Sequence, residues 1–260
     1  MTVRRLVLLT VGVLIALTAV AYAVTDTVTY TASGSHKGKP SKTKPANFTY
    51  TGTLHVDTDP PGNQPDVAPR TDVYFDKGIK LNAALFPFCN QSEIENNSSE
   101  LPAKCKKAVV GTGTAKAIAG QPGNPPSVNE TLDVKAVNGP KGKTLFLVVH
   151  STPDAPVALP DRAIPGTVIK ASGIFGYLVR FDVPQDLQNQ LGLDISLTDF
   201  KVTVSGKPRT FTVKHKKVST SYLSLTSCPG KQHSKAIVYF KDSANGGAQK
   251  TMTSEGTGKC

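Results

Sequence analysis

From Phe48 onward, apolar and polar residues alternate. Phe48, Tyr50, Leu54 and Val56 fall on one side of an extended chain, and Thr49, Thr51, Thr53, His55 and Asp57 on the other. A period of two, rich in threonine and aromatics, predicts a half-buried β-strand. The same pattern marks strands at 72–75, 108–119, 130–137, 144–150, 166–183, 196–205, 210–213, 221–226 and 235–241. The stretch 166–183 is long enough for two strands, or for one bent at Gly173 or Gly176, where the missing side chain permits a bulge.

Turn signals punctuate these runs at Asp59-Pro60-Pro61-Gly62, Asn138-Gly139-Pro140, Pro153-Asp154, Ser205-Gly206 and Asn245-Gly246-Gly247. Many short strands joined by Gly and Pro turns predict an all-β chain, an antiparallel β-sandwich or jelly-roll-like fold, not alternating βα units. Helix is confined to one or two short pieces in loops: 91–97, with Ser92 as its cap, and 186–191 after Pro184. No repeat of fixed period is present.

The N-terminus reads differently. Arg4 and Arg5 precede an uncharged apolar run over 6–20 that ends in Ala21-Tyr22-Ala23. This is the order of a signal peptide, residues 1–23, with cleavage expected after Ala23. The alternative is an uncleaved anchor, since 6–24 is long enough for a bilayer, which takes roughly 17 to 25 residues. After cleavage no membrane span is expected. No cysteine follows the apolar run and no Leu-Pro-x-Thr-Gly signal lies near the C-terminus, so neither lipidation nor covalent wall attachment is indicated. Residues 24–46 mix serine and threonine with Lys37, Lys39, Lys42 and Lys44 among glycine and prolines. Such a stretch buries little apolar surface, and it is expected to be a flexible basic linker. Residues 47–260 then form one β-sandwich domain, with 228–260 as a closing hairpin on the same core.

Charge and cysteines refine the picture. Lys and Arg number 30 against 19 acids, a formal charge of +11, from which loss of Arg4 and Arg5 removes two. An exported basic protein is drawn to anionic wall polymers, acidic glycans or lipid headgroups. Nucleic acid is not an expected partner, because the chain has no tryptophan and no aromatic-basic stripe. The 4 cysteines, Cys89, Cys105, Cys228 and Cys260, read as two disulfides in an exported chain. Of three connectivities, Cys89–Cys105 with Cys228–Cys260 is favoured, since each pair brackets a compact segment. No C-x-x-C occurs, and His233 alone stands near a cysteine, so no metal or cofactor is expected.

Candidate chemistry is sparse. Lys141-Gly142-Lys143-Thr144 contains Gly-Lys-Thr, but Val137 stands where a phosphate loop needs glycine and a strand follows instead of a helix. Gly111-Thr112-Gly113-Thr114 opens no helix and reads as a bulge or tightly packed strand. Asp57-Thr58-Asp59, with Gly62, Asn63 and Asp66, gathers oxygen donors suited to calcium, yet Pro61 replaces a ligand and Ala68 stands where glutamate should close the loop. There is no G-x-S-x-G or H-E-x-x-H, and the 5 histidines, at 36, 55, 150, 215 and 233, lie in unrelated contexts. His150-Ser151 with Asp154 places three triad residue types close together, a weak signal because triads assemble from distant segments. Asn-x-Ser/Thr sequons stand at Asn47, Asn90, Asn96, Asn97 and Asn129. The catalytic residues are therefore unassigned.

Three pieces carry a resemblance. They are Asp57-Thr58-Asp59-Pro60-Pro61-Gly62 leading to Val73-Tyr74-Phe75-Asp76-Lys77-Gly78; Phe86-Pro87-Phe88-Cys89, then Cys105 and Val110-Gly111-Thr112-Gly113-Thr114-Ala115; and Cys228-Pro229 before a final hairpin ending in cysteine. In these the chain resembles a group of uncharacterised exported β-rich proteins of high-GC Gram-positive bacteria, over most of 48–260. Cys105-Lys106 departs from the Cys-Pro of that group, so the turn there differs. The group has no assigned activity, and the resemblance carries over no functional residue. The reading is a non-enzymatic secreted or envelope-associated protein binding anionic wall polymers or glycans. The alternatives are a glycan-acting hydrolase on a β-sandwich and a structural surface protein.

Overall fold

A computed structural model describes residues 24–96, 100–152 and 162–259; the expected signal peptide, Asp154 and Cys260 lie outside them. Sixteen strands run β1 (Thr25–His36), β2 (Ala46–Asp59), β3 (Arg70–Asp76), β4 (Ile79–Leu81), β5 (Val109–Gly120), β6 (Val128–Asn138), β7 (Thr144–Ser151), β8 (Arg162–Lys170), β9 (Phe175–Asp182), β10 (Asn189–Gln190), β11 (Leu193–Val204), β12 (Arg209–Val213), β13 (Lys216–Thr220), β14 (Leu223–Leu225), β15 (Lys231–Asp242) and β16 (Ala248–Lys259). Two short helices, α1 (Gln91–Glu95) and α2 (Ala103–Ala108), interrupt them.

All but β12 and β13 belong to one antiparallel sheet, ordered β16-β15-β3-β9-β8-β7-β6-β5-β11-β2-β14-β4, with β1 along the other edge of β2. A sheet this wide folds over on itself, because strand twist and exposed edges disfavour a flat ribbon. Its two ends come together, with β1 packed against β16. Tyr30, Leu54 and Val56 from β1 and β2 then share a cluster with Ala236, Val238 and Phe240 of β15. Tyr50 reaches Phe75 with ring centroids 5.1 Å apart, and Phe75 stacks on Tyr177 at 4.9 Å. The fold is the expected antiparallel β-sandwich.

Alternation explains which face each strand buries. On β7, Leu147 and Val149 join the interior, whereas Phe146 and Val148 point outward and pack beneath Cys89, Ile94, Leu101 and Cys105. The segment holding α1 and α2 thus roofs the outer face of β6–β8, and β7 reads as an unbroken apolar run because both its faces are covered. Asn138 fixes the roof: its amide donates to the carbonyls of Ala83, Phe86 and Pro87 and accepts from the Tyr222 hydroxyl.

The expected flexible linker is corrected here. Thr25–His36 is a strand paired with β2 along its whole length, with Asp26 and Tyr30 buried. Threonine and serine cover its outer face, while Val28, Tyr30 and Ala32 face inward, so the composition reports the exposed half of a strand and not disorder. Helix α1 ends at Glu95, and Asn90, not Ser92, stands at its cap, its N–H donating to Glu93 at 2.8 Å. The helix expected at 186–191 is a single 3-10 turn, Gln185–Leu187. The 166–183 stretch divides into β8 and β9 at Gly173, which takes φ 72.

A buried charge triad locks β1 to the sheet. Lys250 on β16 lies 2.8 Å from Asp26 and 2.6 Å from Asp66, both carboxylates being fully buried. Burial raises the Asp26 carboxyl above its ordinary value, against the lowering pull of Lys250. Lys250 itself is raised, its two carboxylate bonds outweighing the desolvation that would lower it.

Inside, the folded-over sheet leaves a partly open hollow of about 190 Å³. Native interiors seldom hold voids larger than a water molecule.

Two expectations follow from this architecture. Lys250→Met leaves two buried carboxylates without a counter-charge and lowers stability by about 3–5 kcal/mol near neutral pH. Without the lysine, the folded carboxyls hold protons more tightly than the unfolded ones, so the deficit shrinks as the pH falls toward about 4, which urea titrations at two pH values read out. At Gly113 on β5, a Cβ would stand 1.9 Å from the Lys201 carbonyl of β11, whereas at Gly38, with φ 82, it would meet nothing within 4 Å. Gly113→Ala therefore loses about 3 kcal/mol by forcing the strands apart, against about 1 kcal/mol for Gly38→Ala.

Candidate functional site

The residues that the sequence marks for chemistry disperse in the fold. Cys89 and Cys105 form the expected disulfide with Cα atoms 5.1 Å apart. Glu93 approaches the same sulfurs, but with these bonded to each other no thiolate pair remains to hold a metal. Cys228 is disulfide-bonded, and its expected partner Cys260 lies outside the described residues. Lys141 and Gly142 form the β6–β7 turn, with φ of 59 and 62. Gly111 and Gly113 serve close approach of β5 to β11.

The calcium-like donors point apart. Asp57 pairs with His55 at 2.9 Å, the Thr58 hydroxyl donates to the carbonyls of Pro60 and Asn63, and Asp66 is engaged by Lys250. His55 also meets Asp199 at 2.7 Å. Desolvation alone would lower its pKa, but the bonds to Asp199 and Asp57 prevail and raise it. His150 and Ser151 are consecutive on β7 and so face opposite sides of the sheet, and the Ser151 hydroxyl donates inward to Glu130. No Asp, Glu, His, Lys or Arg lines the interior hollow, so it is not a cleft with paired carboxylates.

Cations are distributed unevenly in their engagement. On the outer face of β3 and β9, buried Asp72 accepts from Arg180 at 2.9 Å and from Arg70 at 3.3 Å. Burial would raise the Asp72 carboxyl, but the two guanidiniums hold it below its ordinary value. Arg70 also lies over Tyr239, and Lys235 over Tyr74 and Phe175. These positive charges are committed to partners within the fold.

The β12–β13 ribbon differs. It forms a separate two-stranded sheet held at its base by Arg209 and Phe211. Arg209 donates to the carbonyls of Lys107 and Val109 at 2.6 and 2.8 Å, capping the C-terminal end of α2, and Phe211 packs on Phe86 at 4.9 Å. Beyond that base Lys214, His215, Lys216 and Lys217 are exposed, as is Lys207 at the approach. Among the described residues, none of these four lysines is ion-paired. The two-residue tip requires left-handed backbone at both positions, where Asn-Gly is the usual choice. Here it is Lys214 at φ 47 and His215 at φ 63, so the tip trades backbone ease for charge.

A sequence reading centred on motifs passed over this site, although a signal was present. Between Asp199 and Asp242 the chain carries Lys201, Lys207, Arg209, Lys214, Lys216, Lys217, Lys231, Lys235 and Lys241, with no acid among them.

No family model matches this chain, and no curated protein matches it. Among solved structures, the crystal structure of ACE19, the collagen binding subdomain of the Enterococcus faecalis surface protein ACE, is similar over 89% of this chain and 96% of its own. The identity is 9% and the TM-score 0.30, a likeness that assigns no residue a role here. Among the described residues, no helix is long and apolar enough to cross a membrane.

Replacing Lys214-His215 with Asn-Gly relieves two left-handed side-chain-bearing residues at about 1 kcal/mol each. The double variant is expected to slow hydrogen exchange of the β12–β13 amides about tenfold or more while leaving exchange in β5–β7 unchanged.

Proposed function

We propose that this chain is a non-enzymatic, exported, envelope-associated protein that holds anionic polymers such as phosphate-bearing wall polymers or acidic glycans through the β12–β13 ribbon. The observation that carries the reading is the row of unengaged lysines at Lys207, Lys214, Lys216 and Lys217 on a ribbon that projects from a rigid base. A linear polyanion presents repeating charge without a fixed shape. A narrow ribbon with an exposed outer face can lie along it, while Arg209 and Phe211 keep the ribbon's root in register with the sheet. Lysine suits this task, because its compact charge on a flexible stem tolerates variable phosphate or carboxylate spacing. The Cys89–Cys105 disulfide supports an oxidising compartment outside the cytoplasm.

Binding of this kind is screened by salt. Retention on isolated cell walls is expected to fall steeply between about 50 mM and about 500 mM NaCl, as the Debye length shrinks to a few ångströms. Replacing the four lysines with glutamine should weaken retention by at least about tenfold at low salt, with an unchanged melting temperature. Retention that ignores salt, or that survives the fourfold substitution, would refute the reading.

A further inference from the structure

The seam between β1 and β16 holds three groups that can react with one another. Lys250 Nζ stands 2.8 Å from Asp26 Oδ2 and 2.6 Å from Asp66 Oδ2, with the lysine side chain 19% exposed and both carboxylates fully buried. The Phe240 ring, with its centroid 5.9 Å from Nζ, adds an aromatic wall. Each carboxylate is held by its other oxygen: Asp26 Oδ1 accepts from the Asp66 N–H and Asp66 Oδ1 from the Ser243 N–H, both at 3.2 Å. Neither Oδ2 makes a hydrogen bond of regular angle, so the nitrogen is pressed against two carboxyl groups without the alignment of a hydrogen bond.

Water decides what such a trio does. At the surface Lys104 meets Glu93 at 2.8 Å and Lys106 meets Glu100 at 2.5 Å, and solvent keeps those groups ionised. In the seam the charges have lost their hydration. The ion pair is the resting form, because both carboxylates hold the lysine's proton. Passing one proton to Asp26 gives an amine and a carboxylic acid without separating charge, and burial raises the Asp26 carboxyl toward that protonated form. Groups held in contact react as though present at an effective concentration of about 10⁵–10⁸ M. The second carboxylate supplies what a lone pair lacks, a base for the proton that the attacking nitrogen sheds.

We infer that Lys250 and Asp26 condense after folding into an amide, an isopeptide cross-link between the first strand and the last, with Asp66 as the base. Nζ attacks Asp26 Cγ, and the negative charge develops on Oδ1, which the Asp66 N–H already holds. Asp66 takes a proton from the nitrogen and returns it to Asp26 Oδ2, which leaves with both protons as water. One C–N bond forms, one C–O bond breaks, and no oxidant or cofactor takes part. The amide N–H remains beside Asp66 and donates to it. None of the β12–β13 ribbon's residues enters this step, which is independent of what the ribbon binds.

Intact mass of the reduced, denatured full chain tests the inference. The unaltered protein is expected to be lighter by one water than its sequence requires. After trypsin, the peptide ending at Lys37 should be joined through Lys250 to 242–259, with no cut after Lys250. Lys250→Arg keeps a cation between the carboxylates but offers no amine to acylate, and it should restore the full mass. Asp66→Asn removes the base and should slow condensation by about a hundredfold or more. Should either variant fail to fold, the tryptic map of the unaltered protein decides alone. An unaltered protein of full mass that is cut after Lys250, a link from Lys250 to the Asp66 peptide that ends at Arg70, a water still missing in Lys250→Arg, or undiminished condensation in Asp66→Asn would each overturn the proposal.

Discussion

Everything in this fold depends on bringing the two ends of one sheet together. An open sheet of this width would expose long edges and leave its inner face without a partner. Closure is made by β1, which pairs with β2 on one side and packs against β16 on the other. Small residues let the backbones approach: a Cβ on Gly256 would meet the carbonyl of Tyr30 at 3.2 Å. The Tyr30 N–H donates to Ser254, and Lys250 holds Asp26 and Asp66 where no water reaches them. An ion pair in such a place adds little net stability compared with a hydrophobic replacement, but it tolerates no mispairing. Its role is to fix which strand seals the seam, and in which register.

Much of the architecture was legible because alternation is a direct record of two-faced strands. The runs around β2, β5, β6, β11 and β15 each showed it, β7 stood out as a continuous apolar run, and the Gly and Pro clusters fell at the turns. Legibility failed where a strand's stability lies elsewhere in the chain. Strand β1 has Val28, Tyr30 and Ala32 in alternation, yet threonine and serine dominate its outer face, and its decisive partner Lys250 is far away in sequence. Strand β13 was missed because Lys214-His215 is not a turn dipeptide, and the ribbon stands through Arg209 and Phe211 gripping residues of other segments. The roof helix α2 is too short for periodicity to register, and its position follows from the Cys89–Cys105 link.

The candidate sites show a similar division. The lysine-rich, acid-free stretch after Asp199 is visible as composition, but only the fold separates lysines committed to aromatic rings, such as Lys235, from those left to solvent on the ribbon. The hollow was not visible at all. Alanines at 115, 117 and 236 look like ordinary strand residues until the strands that carry them are set face to face.

Were this chain exported with a cleaved leader, the seam would constrain the order of events. Val24 is 6% exposed and Asp26 is 2% exposed, so residues just after the expected cleavage point are buried. A peptidase needs an extended, accessible segment on both sides of the bond that it cuts. If the chain is cleaved after Ala23 as its sequence leads one to expect, cleavage would have to precede docking of the first strand, and a chain that sealed its interior early would keep its leader. Maturation and folding would then compete for the same few residues, those that carry Asp26 to Lys250.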